Sequence, residues 1–479
     1  MKSKIIIFNL LLISVQLLYA QEKEQPYIPP TDPEVVQNLE EWQDLKFGIF
    51  MHWGTYSQWG VVESWSICPE DEGWTQRSGP FSKDYFTYKK AYEDLQKTFN
   101  PVDFNPDKWA TAAKDAGFKY MIVTFKHHDG FCMYDSKYTD YKITSPKTPF
   151  HTNPRADAGK ETTVAFRKQG FKIGTYFSKP DWHCDAYWWP YFPPKDRNVN
   201  YDPKRYPERW QQFKDFTYNQ IEEILTGYDK IDILWLDGGW VRPNQSIDPN
   251  IDWQKAIPFD QDVDMAKIAA MGRKNQPGLI VVDRSVAGEF ENYRTPEQQI
   301  PAEPLAYPWE TCMTMASSWS YVPGDVYKPA GTIIHYLVDI VAKGGNYLLN
   351  IGPSPKGDYD TMAYVRLKEI GEWMKINGDA IYATRPIAPY KEKNICFTQN
   401  KDKRVNAIYL AGKEEVTLPP VLKMTGLKPS AKATITLLGN KGNLKWKTEN
   451  GETTVAIPAK LQKMPPCKHA WTFVISQVE

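Results

Sequence analysis

A repeated alternation of short apolar runs and amphipathic helical segments occupies most of this chain, from residue 42 to residue 385. The runs are apolar on both faces, which is typical of buried strands in a parallel sheet, and the intervening segments have the periodicity of helices that cover such a sheet. The predicted strands are 47–52, 120–125, 172–177, 231–236, 279–282 and 346–351, and the predicted helices are 106–116, 162–169, 209–225, 263–275, 330–342 and 363–377.

The length of this alternating region fits a closed (β/α)8-like TIM barrel with long loops. A doubly wound parallel sheet would show the same alternation, but no glycine-rich phosphate-binding fingerprint follows the first strand. Helical periodicity ends near residue 386, and short alternating runs then predict a small antiparallel β-sandwich over 386–479. These runs are 405–411, 433–438, 453–457 and 470–475.

The amino-terminal segment, residues 1–20, has the features of a secretory signal peptide. Lys2 and Lys4 precede an apolar run, and Ala20 is a small residue suited to cleavage. This run is too short to cross a membrane, and no later stretch reaches about 18 apolar residues. Residues 21–41 contain several prolines and are predicted to form an extended leader. We therefore expect an exported protein, periplasmic or secreted, without a membrane span.

The composition narrows the class of ligand. Lys plus Arg and Asp plus Glu both total 58, so the formal net charge is zero, which argues against nucleic acid as a partner. The 18 Trp, 28 Tyr and 21 Phe residues suit a protein that stacks on sugar rings, although such residues also fill cores. Six cysteines in 479 residues are too few for a disulfide scaffold, but Cys396 and Cys467 could pair in an exported protein.

Polar residues stand at five consecutive predicted strand ends, which in a barrel meet on the face where active sites lie. They are His52 after the first strand, His127 and His128 after the second, Tyr176 in the third, Asp237 after the fourth and Arg284 after the fifth. Such a cleft suits a polyhydroxylated neutral ligand. Asp237 precedes two glycines, so it could be catalytic or form a turn. The chain lacks the usual metal-binding spacings, and we expect no metal.

Several of these segments resemble the signature motifs of family 29 glycoside hydrolases, the retaining α-L-fucosidases. The matching segments occur in the family's order between residues 42 and about 355: 46–57 (KFGIFMHWGTYS), 126–131 (KHHDGF), 235–238 (WLDG), 283–284 (DR), 293–297 (YRTPE), 309–312 (WETC) and 318–321 (SWSY). The resemblance implies a catalytic barrel over residues 42–385 followed by a β-sandwich, and a reaction without a metal or organic cofactor.

The resemblance also implies roles for individual residues. Asp237 matches the nucleophile, and Glu297 is the best match to the general acid/base, with Glu289, Glu291 and Glu310 as rival candidates. Glu72 competes with Glu63 for one substrate contact, because each precedes a tryptophan by two residues. The residues that match fucose-binding positions are His52, Glu63, His127, His128, Tyr176 and Arg284, with Trp235 and Trp319 as walls of the pocket.

The implied function is exo-acting hydrolysis of terminal α-L-fucosyl residues from glycans through a covalent glycosyl-enzyme intermediate. Such enzymes place two carboxylates about 5–5.5 Å apart across the scissile bond. The alternatives are the same mechanism on a fucose-like sugar such as an α-L-galactoside, a non-catalytic carbohydrate-binding barrel, and a metal-dependent hydrolase using His127 or His128. The segment 179–194, with Trp182, Trp188 and Trp189, either shapes the leaving-group side of the cleft or packs on its own rings.

Overall fold

The computed structural model describes residues 25–69 and 77–479. Within them, a parallel sheet contains seven strands: β1 (Phe47–Met51), β2 (Tyr120–Lys126), β3 (Lys172–Ser178), β4 (Ile233–Asp237), β5 (Ile280–Asp283), β6 (Glu310–Thr314) and β7 (Asn346–Ile351). Their spatial order is β5-β4-β3-β2-β1-β7-β6. The α-helices are α1 (Pro33–Leu45), α2 (Tyr85–Glu93), α3 (Pro106–Ala116), α4 (Ala158–Lys168), α5 (Pro207–Gly227), α6 (Asp252–Lys255), α7 (Met265–Asn275), α8 (Ala330–Ala342), α9 (Thr361–Asn377) and α10 (Ala459–Lys463).

The parallel sheet curls around an interior filled by alternate side chains of its strands. Phe50, Ile122, Tyr176 and Trp235 belong to this interior cluster. The residues between them along each strand pack outward against the helices, because successive side chains of a strand point to opposite faces. The predicted barrel-like α/β architecture is therefore confirmed.

An irregular stretch, residues 290–298, lies between β5 and β6, at the position that the eighth strand of a closed barrel would occupy, and we call it the closing segment. On one side it joins β5 through an antiparallel bridge between Val282 and Glu291. On the other side it runs parallel to β6, with bridges from Arg294 to Trp309 and from Glu297 to Cys312. The ring of strands is thus completed by isolated bridges rather than by a continuous ladder.

Helix α1 corrects the prediction that residues 21–41 are extended. Asp32 caps the helix by accepting from Glu34 N at 2.9 Å, and Pro33 occupies the first turn, where its missing N–H costs nothing. Leu39 and Trp42 face the barrel, and the Trp42 ring stacks on Tyr293 with centroids 4.0 Å apart. The helix therefore covers the amino end of the barrel.

The residues before α1 also contact the closing segment. The Tyr27 hydroxyl donates to the Asn292 carbonyl at 2.7 Å, and its ring stacks on Tyr307 with centroids 5.5 Å apart. Arg294 donates to the Gln25 carbonyl. The start of the described chain is thus attached to the segment that closes the ring.

Strand β6 was not predicted, because its sequence, ETCMT, is not an apolar run. Its first residue, Glu310, is fully buried in the barrel, where it accepts from the Tyr120 hydroxyl at 2.6 Å and from Trp235 Nε1 at 3.3 Å. A buried polar strand is tolerated here because its carboxylate has partners. The short helix α2 was likewise not predicted.

The carboxyl-terminal region is antiparallel throughout its two sheets. The larger sheet has the order β12-β15-β10-β9-β8 and the smaller one β11-β14-β13. Their apolar residues form a common core, as expected of a sandwich. The strands are β8 (Arg385–Glu392), β9 (Ile395–Gln399), β10 (Val405–Leu410), β11 (Val421–Met424), β12 (Ile435–Leu437), β13 (Lys445–Glu449), β14 (Glu452–Ala456) and β15 (Ala470–Ile475).

Two further predictions concern cysteines and membranes. Cys396 and Cys467 do not pair with each other, and both are free thiols. Burial raises the pKa of the Cys396 thiol to about 12, so this group remains protonated. In the part of the chain that the structure describes, no helix has the length and apolar character needed to cross a membrane. The predicted signal peptide lies outside the described residues.

Candidate active site

A cavity of about 820 Å³ lies at the carboxyl ends of the parallel strands, and we call it the first cavity. Its lining combines three kinds of group: carboxylates, imidazoles and aromatic rings. The structure places every predicted site residue except His128 on its wall, namely His52, Glu63, His127, Tyr176, Trp235, Asp237, Arg284, Glu297 and Trp319. His128 lies directly behind the wall, with its Nε2 3.8 Å from Asp237 Oδ2.

Asp237 is the last residue of β4, where the regular ladder to β3 and β5 fixes its backbone. Its Oδ2 accepts from the Tyr176 hydroxyl at 2.8 Å, and its Oδ1 accepts from Arg284 Nη1 at 3.1 Å. Burial opposes ionisation of this carboxyl, but the Arg284 charge and the hydrogen bonds from Tyr176 and Gly238 N outweigh it and lower the pKa below its usual range. Asp237 is therefore an ionised and oriented carboxylate.

Glu297 lies on the closing segment and faces the same cavity. Arg284 donates from Nη2 to Glu297 Oε2, so a single guanidinium contacts both Glu297 and Asp237. The Glu297 side chain is 42% exposed, whereas that of Asp237 is 16% exposed. The site thus contains two carboxylates with different access to solvent, joined by one fixed cation.

The histidines in and behind the wall are buried, and their hydrogen bonds assign their ring protons. Asn350 Nδ2 donates to the Trp319 carbonyl at 2.6 Å, so Asn350 Oδ1 accepts from His52 Nδ1 at 2.8 Å, and His52 Nε2 is left as an acceptor. Ser178 donates to the Pro180 carbonyl at 2.6 Å, and its Oγ therefore accepts from His128 Nδ1 at 2.6 Å.

His127 has the opposite arrangement of protons. Ser64 Oγ accepts from Asp129 N at 2.8 Å, and among the described residues His127 Nδ1, at 2.6 Å, is the acceptor within reach of its hydroxyl proton. This arrangement leaves Nε2–H of His127 as a donor. Burial lowers the pKa of His127 well below its usual value. It also lowers the pKa values of His52 and His128 to about 4. At neutral pH the three rings are uncharged and offer both donors and acceptors, as a polyhydroxylated ligand requires.

Glu63 reaches the cavity from a short helical turn that follows β1 in the chain. It is only 2% exposed, and its Oε1 accepts from Ser320 N at 2.8 Å. Its backbone has φ 34°, a left-handed conformation that is costly for a residue with a side chain. Burial raises the pKa of Glu63 to about 8, so the group is protonated at neutral pH and can donate a hydrogen bond.

The comparisons with known proteins identify the family of this chain. A family model described as alpha-L-fucosidase matches residues 14–379, and one described as alpha-L-fucosidase C-terminal domain matches residues 389–476. The chain belongs to the α-L-fucosidase family. Members of this family are glycoside hydrolases, and the two matched regions correspond to the barrel and to the sandwich.

The most similar relatives cover nearly the whole chain. Tissue alpha-L-fucosidase of Homo sapiens is 28% identical over 490 residues, covering 98% of this chain and 97% of that protein. Alpha-L-fucosidase of Branchiostoma floridae is 27% identical over 473 residues, covering 93% and 95%. Among solved structures, alpha-L-fucosidase isoenzyme 1 from Paenibacillus thiaminolyticus has a TM-score of 0.72 at 27% identity, covering 93% of this chain and 100% of that chain.

The rival carboxylates for the acid/base position do not line the first cavity of this fucosidase-family chain. Glu310 is in the barrel interior, where burial raises its pKa to about 7. Glu291 forms an ion pair with Arg294 at 3.4 Å, and Glu289 is exposed on the loop after β5. Glu72, the competitor of Glu63, lies outside the described residues. Glu297 is the candidate that shares Arg284 with Asp237.

A metal could in principle use His127, His128 and Asp237, because their ligand atoms lie within 4.8 Å of one another. Arg284 contacts Asp237 directly, and its permanent charge opposes a cation at that carboxylate. The same groups can instead hydrogen-bond sugar hydroxyls without charge neutralisation. The donor set therefore fits a neutral sugar better than a metal ion.

No residue of the aromatic segment 179–194 lines the first cavity, although Trp182 contacts His128 and the lining residue Trp65, with ring centroids 5.1 and 5.4 Å apart. Trp182 stacks on Trp188 with centroids 5.2 Å apart, and Trp189 contacts Tyr191 and Tyr206. Neither Trp188 nor Trp189 lines the first cavity, and their leaving-group role stays a prediction. The rim residues that sequence reasoning did not assign to the cavity are Trp65, Arg197, Trp240, Trp253 and Ser285. Trp65 and Trp253 lie in short helical turns, and Arg197, Trp240 and Ser285 lie on loops, so no long periodicity marks any of them.

Proposed function

We propose that this protein is an exo-acting α-L-fucosidase that releases terminal α-L-fucosyl residues from glycans by double displacement with retention of configuration. The observation that carries the proposal is the contact of one guanidinium, that of Arg284, with both Asp237 and Glu297. This contact supports a pair of carboxylates close enough to act on one glycosidic bond. Phe50 and Trp235 belong both to the cavity wall and to the packed interior of the barrel, which closes the cavity on that side and suits a terminal sugar.

In the first step, the Asp237 carboxylate attacks the anomeric carbon while the glycosidic C–O bond breaks. Protonated Glu297 gives its proton to the departing oxygen, so the leaving group departs as a neutral alcohol. The products are a β-linked glycosyl ester on Asp237 and an ionised Glu297. The hydrogen bonds from Tyr176 and Arg284 hold Asp237 in position for the attack.

In the second step, ionised Glu297 takes a proton from water as the water oxygen attacks the anomeric carbon. The ester bond to Asp237 breaks, α-L-fucose leaves, and both carboxyl groups return to their starting states. The exposure of Glu297 supports this role, because water and the leaving group must both reach it. Its Arg284 contact would be exchanged for the incoming oxygen at each step.

The neutral histidines and protonated Glu63 supply the recognition of the sugar. His127 donates a hydrogen bond and His52 accepts one, and Glu63 adds a second donor on the same wall. Trp235 and Trp319 line the cavity beside these groups and supply apolar surface for the sugar. Binding energy from these contacts that grows in the transition state would accelerate the reaction.

The proposal for the cellular location rests on the sequence alone. Residues 1–20 favour export through a signal peptide, and we propose a periplasmic or secreted enzyme. Fractionation of cells that produce the full chain, followed by sequencing of the mature amino terminus, tests this. Recovery of unprocessed protein from the cytoplasm would contradict it.

The activity is tested with 4-nitrophenyl α-L-fucoside, the α-L-galactoside and the β-L-fucoside. We expect release of 4-nitrophenol from the α-L-fucoside, and proton NMR should show α-L-fucose as the first product. Faster turnover of the α-L-galactoside would show that this sugar is the preferred substrate of the same mechanism. Binding of fucose by folded protein without turnover of a fucosylated glycan would favour a carbohydrate-binding barrel and contradict the proposal.

A further inference from the structure

A second cavity, of about 530 Å³, lies next to the first and shares Trp253 and Ser285 with it. Its lining residues come from the segment around α6, from the loops after β4 and β5, from the closing segment and the stretch between it and β6, and from Gln25 before α1. They include Arg242, Asp248, Glu291, Arg294, Gln299 and Tyr307. The reaction proposed above makes no use of this space.

The closing segment separates the two cavities. Glu297 lines the first cavity, whereas Thr295 and Pro296 beside it line the second. The acid/base must touch the oxygen of the leaving group. The leaving group therefore lies on the Glu297 side of the first cavity, beside the segment whose neighbouring residues line the second cavity.

Trp253 has the properties of a stacking platform at this shared wall. Its side chain is 44% exposed, and the Arg242 guanidinium lies 5.1 Å from its ring centroid. Arg242 is itself buried and donates to Gln254 Oε1 at 2.8 Å and to the Gly239 and Ser285 carbonyls. The Arg242 cation holds the Trp253 ring in place from one face, and the exposed part of the ring remains available to pack against a sugar.

The charges around the second cavity balance. Arg242 and Arg294 contribute two positive charges, and Asp248 and Glu291 contribute two negative ones. The Glu291 carboxylate pairs with Arg294 at 3.4 Å. A balanced set of charges beside two aromatic rings, those of Trp253 and Tyr307, suits an uncharged polyhydroxylated group better than an anionic one.

We propose that the second cavity binds an outer neutral sugar of the leaving group, stacked on Trp253. The substrate is then a fucosylated glycan of at least three sugar units: the fucose in the first cavity, the sugar joined to it beside Glu297, and a further sugar beyond Trp253. This inference rests on the proposed function and adds the size of its substrate. It assigns specificity to Trp253, a residue outside the two reaction steps.

The test compares two neutral substrates that share one fucosyl linkage, a fucosyl disaccharide and the same unit extended by further neutral sugars. We expect the wild-type enzyme to have a kcat/KM about ten-fold higher for the extended substrate. Trp253→Ala should remove most of this preference, and Trp253→Phe should keep a large part of it because a ring remains. Released fucose is measured directly, and thermal unfolding confirms that each variant is folded.

Phe86→Ala is the matched control, since Phe86 is an aromatic residue 61% exposed on α2 that lines neither cavity. It should leave the ratio of the two kcat/KM values unchanged. Equal kcat/KM values in the wild-type enzyme, or an equal loss on both substrates in Trp253→Ala, would overturn this inference and leave the fucosidase function intact. No fucose release from either substrate by the folded wild-type protein would instead refute the proposed function, and this inference with it.

Discussion

The two proposed catalytic carboxylates stand on parts of the barrel that differ in regularity. Asp237 ends β4, a strand paired on both sides by continuous parallel ladders. Glu297 belongs to the closing segment, which is joined to its neighbours by isolated bridges. The first carboxylate is largely buried and the second is nearly half exposed. The regular part of the ring thus fixes the negative charge of Asp237. The irregular part leaves Glu297 able to exchange its hydrogen-bond partners.

This difference matches what the two roles require. A nucleophile must be ionised and aimed at one atom, and a strand end whose carboxylate accepts from Tyr176, Arg284 and Gly238 N provides that. An acid/base must meet a leaving oxygen and then a water molecule, so it needs access from outside. Arg284 connects the two parts, because its guanidinium contacts both carboxylates. The exposed Glu297 can exchange this contact for the leaving oxygen or for water, whereas the buried Asp237 stays in place.

The largest expected effect comes from the regular part. Asp237→Ala should lower kcat on 4-nitrophenyl α-L-fucoside on the order of 10⁴-fold or more, because the covalent step loses its nucleophile. Added azide should attack from the vacated side and give the β-L-fucosyl azide from an activated α-fucoside. Product NMR and release of the aryl group measure both effects. Retention of configuration in this azide product would remove Asp237 from the nucleophile role.

Glu297→Ala should produce a smaller and different defect, a loss of about 10²- to 10⁴-fold that is greatest for leaving groups needing a proton. Azide requires no base, so it should restore turnover and give the α-L-fucosyl azide, the opposite anomer to that from Asp237→Ala. Glu289→Gln, on the exposed loop after β5, should remain within about two-fold of wild type. A larger defect in Glu289→Gln than in Glu297→Ala would reverse the acid/base assignment.

Tyr176→Phe tests how much the hydrogen bond from Tyr176 to Asp237 contributes to kcat/KM. The change removes the donor that lies 2.8 Å from Asp237 Oδ2 and keeps the ring. A hydrogen bond to a charged group is worth about 1.5–3 kcal/mol, so kcat/KM should fall roughly 10- to 150-fold. Steady-state kinetics give the loss, and thermal unfolding checks the fold. A loss below about three-fold would show that Arg284 alone suffices.

The smallest expected effect is a shift in the pH dependence of kcat/KM when Glu63 is replaced. Its pKa is raised to about 8, so the neutral donor form persists through neutral pH and is lost as the pH rises through that value. We expect wild-type kcat/KM to fall above about pH 8. Glu63→Gln, which cannot ionise, should move this alkaline limb upward. An unchanged limb in the variant would assign the titration to another group.

The regular part of the molecule was largely predictable from its sequence, and the irregular part was not. His52 and Asp237 stand where an apolar run stops, and this pattern places them on one face of a barrel. Glu297 has no such mark, and only the resemblance of its segment to a known family singled it out. Strand β6 was missed because Glu310 puts a carboxylate inside the barrel, where partners on β2 and β4 satisfy it.

Helix α1 and Trp253 were missed for related reasons. The prolines before α1 indicated an extended chain, but Pro33 together with Asp32 begins the helix instead. Trp253 lies on the short helix α6 and gains its position from Arg242, on the loop after β4, a contact that no local pattern encodes. Regular hydrogen bonding is local and periodic, so sequence reveals it, whereas loop contacts depend on the finished tertiary structure.

The attachment of Gln25 and Tyr27 to the closing segment has a practical consequence for preparing this enzyme. A recombinant chain trimmed past Tyr27, by design or by a contaminating protease, keeps β4 and its nucleophile but loses an anchor of the segment that carries Glu297. Such a preparation should still form a covalent adduct with an activated fucosyl fluoride, yet release it slowly. Titration of active sites would then report a full complement of enzyme in a batch whose specific activity is low.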